Sequence, residues 1–179
     1  MKNHPKLLFL ARPFPPLSAA GAVRSWYITK WLARIGWEVT VITGGFTTQK
    51  EIYVEEIKKE LNALKVRWIQ VGKWNTPCMA THWLPRYSAA LIRRFRFWGI
   101  EYGFGWALHV VAASMRLHPE QYDVILATGS PFSSFAIAKL LSWLGRRPYI
   151  LDYRDPWTFS AHHGPAPWWT TQSALLREP

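Results

Sequence analysis

Residues 7–24 read LLFLARPFPPLSAAGAVR. The stretch opens on an uninterrupted apolar run, Leu7 to Ala11, and passes through a turn carrying Pro13, Pro15 and Pro16. An apolar run without alternating polar residues is what a strand buried on both faces requires. Proline cannot donate to a sheet ladder, so the run ends at Arg12. From Gly21 the rhythm changes. Val23, Trp26, Tyr27, Lys30, Trp31 and Arg34 mix apolar and basic residues at helical spacing. Ile28, Leu32 and Ile35 continue an apolar stripe, and Gly36 stands where a helix C-terminal cap belongs. A second apolar run, Val39 to Thr43, follows, then Gly44 and Gly45.

The same unit recurs along the chain. Lys50 to Lys65 is rich in Glu and Lys and reads as a solvated helix or lid; Val66 to Val71 is a third strand. After a loop with Pro77 and Pro85, Tyr87 to Leu117 is largely helical, broken near Gly99 to Gly105. Asp123 to Ala127 is a fourth strand. Thr128-Gly129-Ser130-Pro131 then opens a helix, with Ser130 as N-cap and Pro131 at the first helical position. That helix runs to about Trp143 and stops at Gly145; Tyr149 to Asp152 is a fifth strand. Strands alternating with helices imply right-handed crossovers and a mostly parallel, Rossmann-like α/β sheet. The expected division is one such domain over residues 1–160. Residues 161–179, with Pro165, Pro167, Trp168 and Trp169, form an irregular tail or the start of a missing continuation.

Composition narrows the function classes. With 49% hydrophobic and 18% charged residues among 179, the chain folds around a core and is not a disordered tail. A formal net charge of +11 asks for an anionic neighbour: a phosphorylated substrate, an acidic membrane surface or nucleic acid. Cys78 is the single cysteine, which excludes a disulfide framework and a Cys-based metal site within one chain and fits a reducing compartment. The first apolar run is too short for a signal peptide. The stretch from Phe97 to Met115 carries Glu101, His109, Gly99, Gly103 and Gly105, and is expected not to span a membrane.

Ligands of parallel sheets bind beyond the carboxyl ends of the strands. Three turns lie there: Arg12 to Gly21, Thr128 to Pro131, and Tyr153 to Trp157. At the first, a helix N-terminus at Gly21 presents free N–H groups suited to a phosphate, and Arg24 adds a full charge. The same pattern also describes a plain helix start with a small packing residue, and no G-x-G-x-x-G is present. At the second, Ser130 is either a phosphate or sugar-hydroxyl contact or a simple cap. At the third, Asp152, Arg154 and Asp155 crowd charges at the end of a buried strand. They must pair with each other or face a cleft walled by Pro156 and Trp157.

Three stretches carry a family resemblance: the opening LLFLARPFPPLSAAGAVR…LARIGWEVTVIT, then DVILATGSPFSSFAIAKLL, then PYILDYRDPW. In this order they resemble the N-terminal, acceptor-side domain of GT-B retaining glycosyltransferases, group 4-like, and most of all members that build bacterial surface polysaccharides. The likeness covers most of residues 6–158 and is patchy between 46 and 120. It implies two Rossmann-like domains facing across a cleft, the second holding most of the nucleotide-sugar donor. That second domain is absent here, so the half present is expected to be inactive alone. Many relatives carry paired glycines in the first loop, where this chain has Ala20 before a single Gly21. Some carry a histidine after the fourth strand, where this chain has Gly129 or Ser130.

The resemblance implies a sugar moving from a nucleotide donor to a glycan or lipid-linked acceptor as a nucleoside diphosphate leaves. Backbone N–H groups at Gly21, with Arg24 and Ser130 nearby, would meet the diphosphate. Asp155 would orient or deprotonate the acceptor hydroxyl, with Arg154 beside it. No cofactor or metal is required beyond the donor substrate. The segment Trp83 to Trp106 interleaves Arg86, Arg93, Arg94 and Arg96 with Tyr87, Phe95, Phe97 and Trp98. It reads as a peripheral contact with the inner face of the membrane by a cytoplasmic protein, or as a core helix with a solvated basic edge. The readings kept beside the glycosyltransferase half are a non-catalytic module binding membranes or phosphorylated ligands and, ranked lower, a basic nucleic-acid binder without a nucleic-acid motif. Nucleic acid is therefore not expected as a partner.

Overall fold

The central strand is β1 (Lys6–Leu10), whose KLLFL sequence pairs on both sides. The structure, a computed structural model, describes residues 4–45, 51–73, 104–129, 131 and 133–153. Ser130, Arg154 and Asp155, the segment 83–103 and the tail 161–179 lie outside the described residues. After β1 come α1 (Ala20–Arg34), β2 (Glu38–Gly45), α2 (Glu51–Ala63) and β3 (Arg67–Lys73). Then follow α3 (Phe104–Arg116), a 3-10 turn (Pro119–Gln121), β4 (Val124–Thr128), α4 (Ser133–Gly145) and β5 (Tyr149–Asp152).

The five strands form one all-parallel sheet in the order β3-β2-β1-β4-β5. Both faces are covered, which is why β1 is apolar from Leu7 to Leu10. Leu8 and Leu10 enter one core with Ile42, Ile125, Val110 and Leu141, beneath α3 and α4. Leu7 and Phe9 enter the other with Val39, Val41, Phe14 and Leu61, beneath α1 and α2. The chain moves outward from β1 through β2 to β3, returns to the other side of β1, and moves outward again through β4 to β5. The strand order therefore reverses between β1 and β4, where such sheets open a crevice beyond their carboxyl ends.

Gly36 closes α1 as its position predicts. It sits at φ +97°, with its own N–H on Ala33 O at 3.1 Å and that of Trp37 on Leu32 O at 3.1 Å. This is a Schellman ending, and Trp37 and Leu32 pack on the same core cluster. Helix α2 ends in the same way with Lys65 at φ 57°, where N–H bonds run from Lys65 to Asn62 O and from Val66 to Leu61 O.

Two expectations change. The stretch read as a solvated helix or lid is a packed helix: Leu61 is buried, Ile57 and Leu64 lie on the core, and Glu60 pairs with Lys30 of α1. Pro131 is not the first residue of its helix. Ser134 N–H reaches Pro131 O at 3.1 Å, closing a turn that leads into α4, which begins at Ser133. The Ser134 hydroxyl lies 2.8 Å from both Thr128 O and Pro131 O and ties that turn to the end of β4.

Candidate functional site

The site is built where β4, β5 and the start of α1 meet. Thr128 and Asp152 are register partners at the carboxyl ends of β4 and β5. The Asp152 backbone carbonyl accepts the Gly129 N–H at 3.1 Å, and its carboxylate accepts the Thr128 hydroxyl at 3.0 Å. Asp152 lies on the α1 side of the sheet, so its carboxylate also faces Arg24. The pairing is bidentate: Arg24 Nε donates to Oδ2 at 2.9 Å and a terminal nitrogen to Oδ1 at 2.5 Å. This fork-on-fork geometry fixes both side chains, where a lysine would meet only one oxygen. The hydrogen bonds that Arg24 donates to Asp152, and then the charge of that carboxylate, hold the Arg24 guanidinium above its ordinary value.

Gly21 is buried in the first turn of α1, and its carbonyl accepts the Ser25 hydroxyl at 3.0 Å. The helix has no side-chain N-cap and no acidic residue in its first turn. Its first N–H groups thus add partial positive charge beside Arg24. Arg24 is not a lone cation, however. Its charge is shared with Asp152, so what the edge offers a ligand is a fixed guanidinium, half exposed, above an immobilised carboxylate.

A second arginine sits at the end of β1. Arg12 is 7% exposed, and its carbonyl accepts the Gly44 N–H at 3.3 Å. Gly44 packs closely on it: a Cβ there would lie 3.3 Å from Arg12 Cγ, a tight contact, and 3.8 Å from the Trp106 ring, an ordinary one. Burial pushes the Arg12 guanidinium below its ordinary value. Sequence reasoning treats Arg12 only as the residue that ends a strand and Thr128 only as part of a turn. The signal for Thr128 was its place, a hydroxyl at the last position of a buried strand.

The structure thus brings Gly21 and Arg24 together with Thr128 and Asp152. Ser130, Arg154 and Asp155 lie outside the described residues; Asp152 is followed within three positions by both of the latter. A cavity of about 250 Å³ lined by Lys58, Leu61, Asn62, Val66, Trp68 and Gln70 lies between α2 and β3, at the opposite edge of the sheet, away from this crevice. Among the described residues no three His, Cys, Asp or Glu side chains gather as metal ligands.

Fold and edge together define a Rossmann-like α/β domain with its candidate site at the strand-order reversal. No protein-family model and no curated protein matches the chain. Among solved structures the chain is similar to a tyrosyl-tRNA synthetase complexed with L-tyrosine from Archaeoglobus fulgidus, at 11% identity and a TM-score of 0.43. The match covers 98% of this chain and 66% of that one, just under two thirds of its length. At that score the likeness carries no argument about fold or activity.

Proposed function

We propose that this chain is the acceptor-side half of a GT-B-type retaining glycosyltransferase, which moves a sugar from a nucleotide donor to a glycan or lipid-linked acceptor in surface polysaccharide synthesis. The observation that supports it best is the Asp152 carboxylate, locked by Arg24 and Thr128 at the strand-order reversal. Asp152 precedes, by two and three positions, Arg154 and Asp155, which are the catalytic candidates because their RDPW stretch matches a subset of the family that the chain resembles. Holding the strand end that leads into the candidate residues in one geometry is what positional catalysis demands. The N-terminus of α1 with Gly21, the Arg24 guanidinium and Ser130 would face the diphosphate that accumulates charge as the glycosidic bond to it breaks. Asp155 takes up or orients the acceptor hydroxyl proton. The protein works in the cytoplasm, against the inner face of the membrane where a lipid-linked acceptor would lie.

The test uses the protein as isolated from its source, incubated with a panel of nucleotide sugars and lipid-linked acceptor extract while nucleoside diphosphate release is followed. Release from one donor, abolished by Asp155→Asn, is the expected result. Release from none, or an Asp155→Asn protein with normal turnover, overturns the reading.

A further inference from the structure

Helices α3 and α4 pack side by side on one face of the sheet. Each buries one stripe, with Trp106 and Val110 on α3 and Ile137, Ala138 and Leu141 on α4. On a surface helix the opposite stripe is normally polar. Here it is apolar. Leu108 (59% exposed) and Met115 (46%) stand on α3; Leu140 (40%), Trp143 (74%) and Leu144 (44%) stand on α4. Leu108 and Met115 are two turns apart on one line, and Leu140, Trp143 and Leu144 share one turn. Neither helix contains a single acidic residue.

Cations flank the apolar strip on both sides. His109 lies over Gly72 of β3, and Arg116 is two turns further along that line. Phe135 packs tilted against Tyr153 beyond β5, with ring centroids 4.6 Å apart, and Lys139 is one turn further along that line. Arg146 follows just past α4, and all three cations are exposed. The opposite face of the molecule differs. There α1 exposes Val23, Tyr27, Trp31 and Ile35, but Arg24 and Lys30 are engaged by Asp152 and Glu60. That side also carries Arg34, Lys58 and Lys59, but its cations stand among Glu55, Glu56 and Glu60, and Lys58 pairs with Glu55.

We propose that the outer face of α3 and α4 docks flat on an anionic phospholipid bilayer. Trp143 sits at headgroup level, Leu108, Met115, Leu140 and Leu144 enter the acyl boundary, and Arg116, Lys139 and Arg146 meet headgroup phosphates. Charge complementarity selects this occupant: a bilayer senses the whole chain's +11 as well as the three local cations. The inference does not depend on the sugar-transfer reading, and its test measures no activity.

The experiment is flotation of the full chain with phosphatidylcholine vesicles, with and without phosphatidylglycerol, at low and high salt. Binding is expected only to the anionic vesicles and is weakened by salt. The Arg116→Gln/Lys139→Gln protein should partition on the order of twenty-fold less, since each cation near the surface contributes about five-fold. The Leu140→Ser/Trp143→Ser protein should lose roughly ten-fold or more through the apolar contact. Both positions are exposed, so folding, checked by circular dichroism, is retained. The Tyr27→Ser/Trp31→Ser protein on α1 should bind as the parent does. Three results each overturn the proposal: a parent that does not float with anionic vesicles, an α4 variant that still does, or an α1 variant that does not. Sedimentation showing that the parent self-associates through Trp143, without floating, would assign the face to a second copy instead.

Discussion

Arg24 does two things that a substitution can separate. It holds Asp152 through two hydrogen bonds, and it stands beside the first turn of α1. Because Arg24 is half exposed, solvent screens the pair, and Arg24→Met is expected to cost less than about 1 kcal/mol of stability. Arg24→Lys keeps the charge and loses the fork. If the chain transfers sugar as proposed and Arg24 holds the end of β5 in place for it, both variants lose that activity far out of proportion to their urea midpoints, and Lys does not rescue Met. An Arg24→Lys protein with parental turnover would show that charge alone suffices. The residues at φ near +60° carry a second prediction. Lys65 and Arg146 both occupy the left-handed conformation that Gly36 adopts at the end of α1. A non-glycine residue there costs roughly 1–2 kcal/mol, of which glycine's greater unfolded-state freedom cancels up to about 1 kcal/mol. Lys65→Gly and Arg146→Gly should therefore each raise stability by about 0.5 kcal/mol, and Gly36→Ala should lower it by about 1 kcal/mol. Chemical denaturation of the three variants checks the opposite signs.

At the level of elements, the end of α4 shows two forces opposed. Gly145 closes the helix, and alanine there improves helix propensity by about 1 kcal/mol. Yet a Cβ at 145 would lie 3.0 Å from the Pro119 carbonyl carbon and 3.1 Å from the Glu120 nitrogen, both backbone atoms of the 3-10 turn. Backbone cannot swing aside as a side chain does, and overpacking of this kind costs typically about 1–3 kcal/mol. Gly145→Ala is thus expected to destabilise by about 1 kcal/mol net. A midpoint that rises instead would mean that the turn moves freely. The same helix shows what local reading can and cannot reach. Gly36 and Gly145 both announce helix ends by residue type. Lys65 and Arg146 do not, because their left-handed conformation goes with backbone bonds that any side chain permits, the Schellman pair at Lys65 and the bond from Arg147 N–H to Ser142 O after Arg146. Pro131 misleads for a related reason: its fixed φ suits a first helical turn, but the Ser134 hydroxyl draws Pro131 and Thr128 into a separate turn. Nor did the Glu- and Lys-rich tract over α2 advertise the buried Leu61, since one apolar stripe is enough to seat a helix.

For the molecule as a whole, the inner strands were legible because a strand covered on both faces is a near-continuous apolar run, as Leu7 to Leu10 and Ile125 to Ala127 are. The candidate site was legible only in part. Gly21 and Arg24 are marked by their place after the first strand, but the partner that fixes Arg24 is Asp152, 128 positions away. Only the return of the chain from β3 to β4 brings those two together, and no local pattern encodes that return. The sheet order has a consequence for cooperativity. β1 is paired on both sides and carries Leu8, Phe9 and Leu10 at 0% exposure, whereas among the described residues β5 pairs with β4 alone and leaves Ile150 55% exposed. Opening β5 breaks one ladder and the Arg24–Asp152 pair; opening β1 breaks both cores at once. Amide exchange should accordingly be slowest at Leu8 to Leu10, with a free energy equal to that of global unfolding, and faster by subglobal opening at Ile150 to Asp152. Arg24→Met should speed exchange in β5 and leave β1 tied to the global value. Equal protection of β1 and β5 in the full chain would mean that β5 is closed on its outer edge by further pairing, and Arg24 would then contribute little to holding the end of that strand.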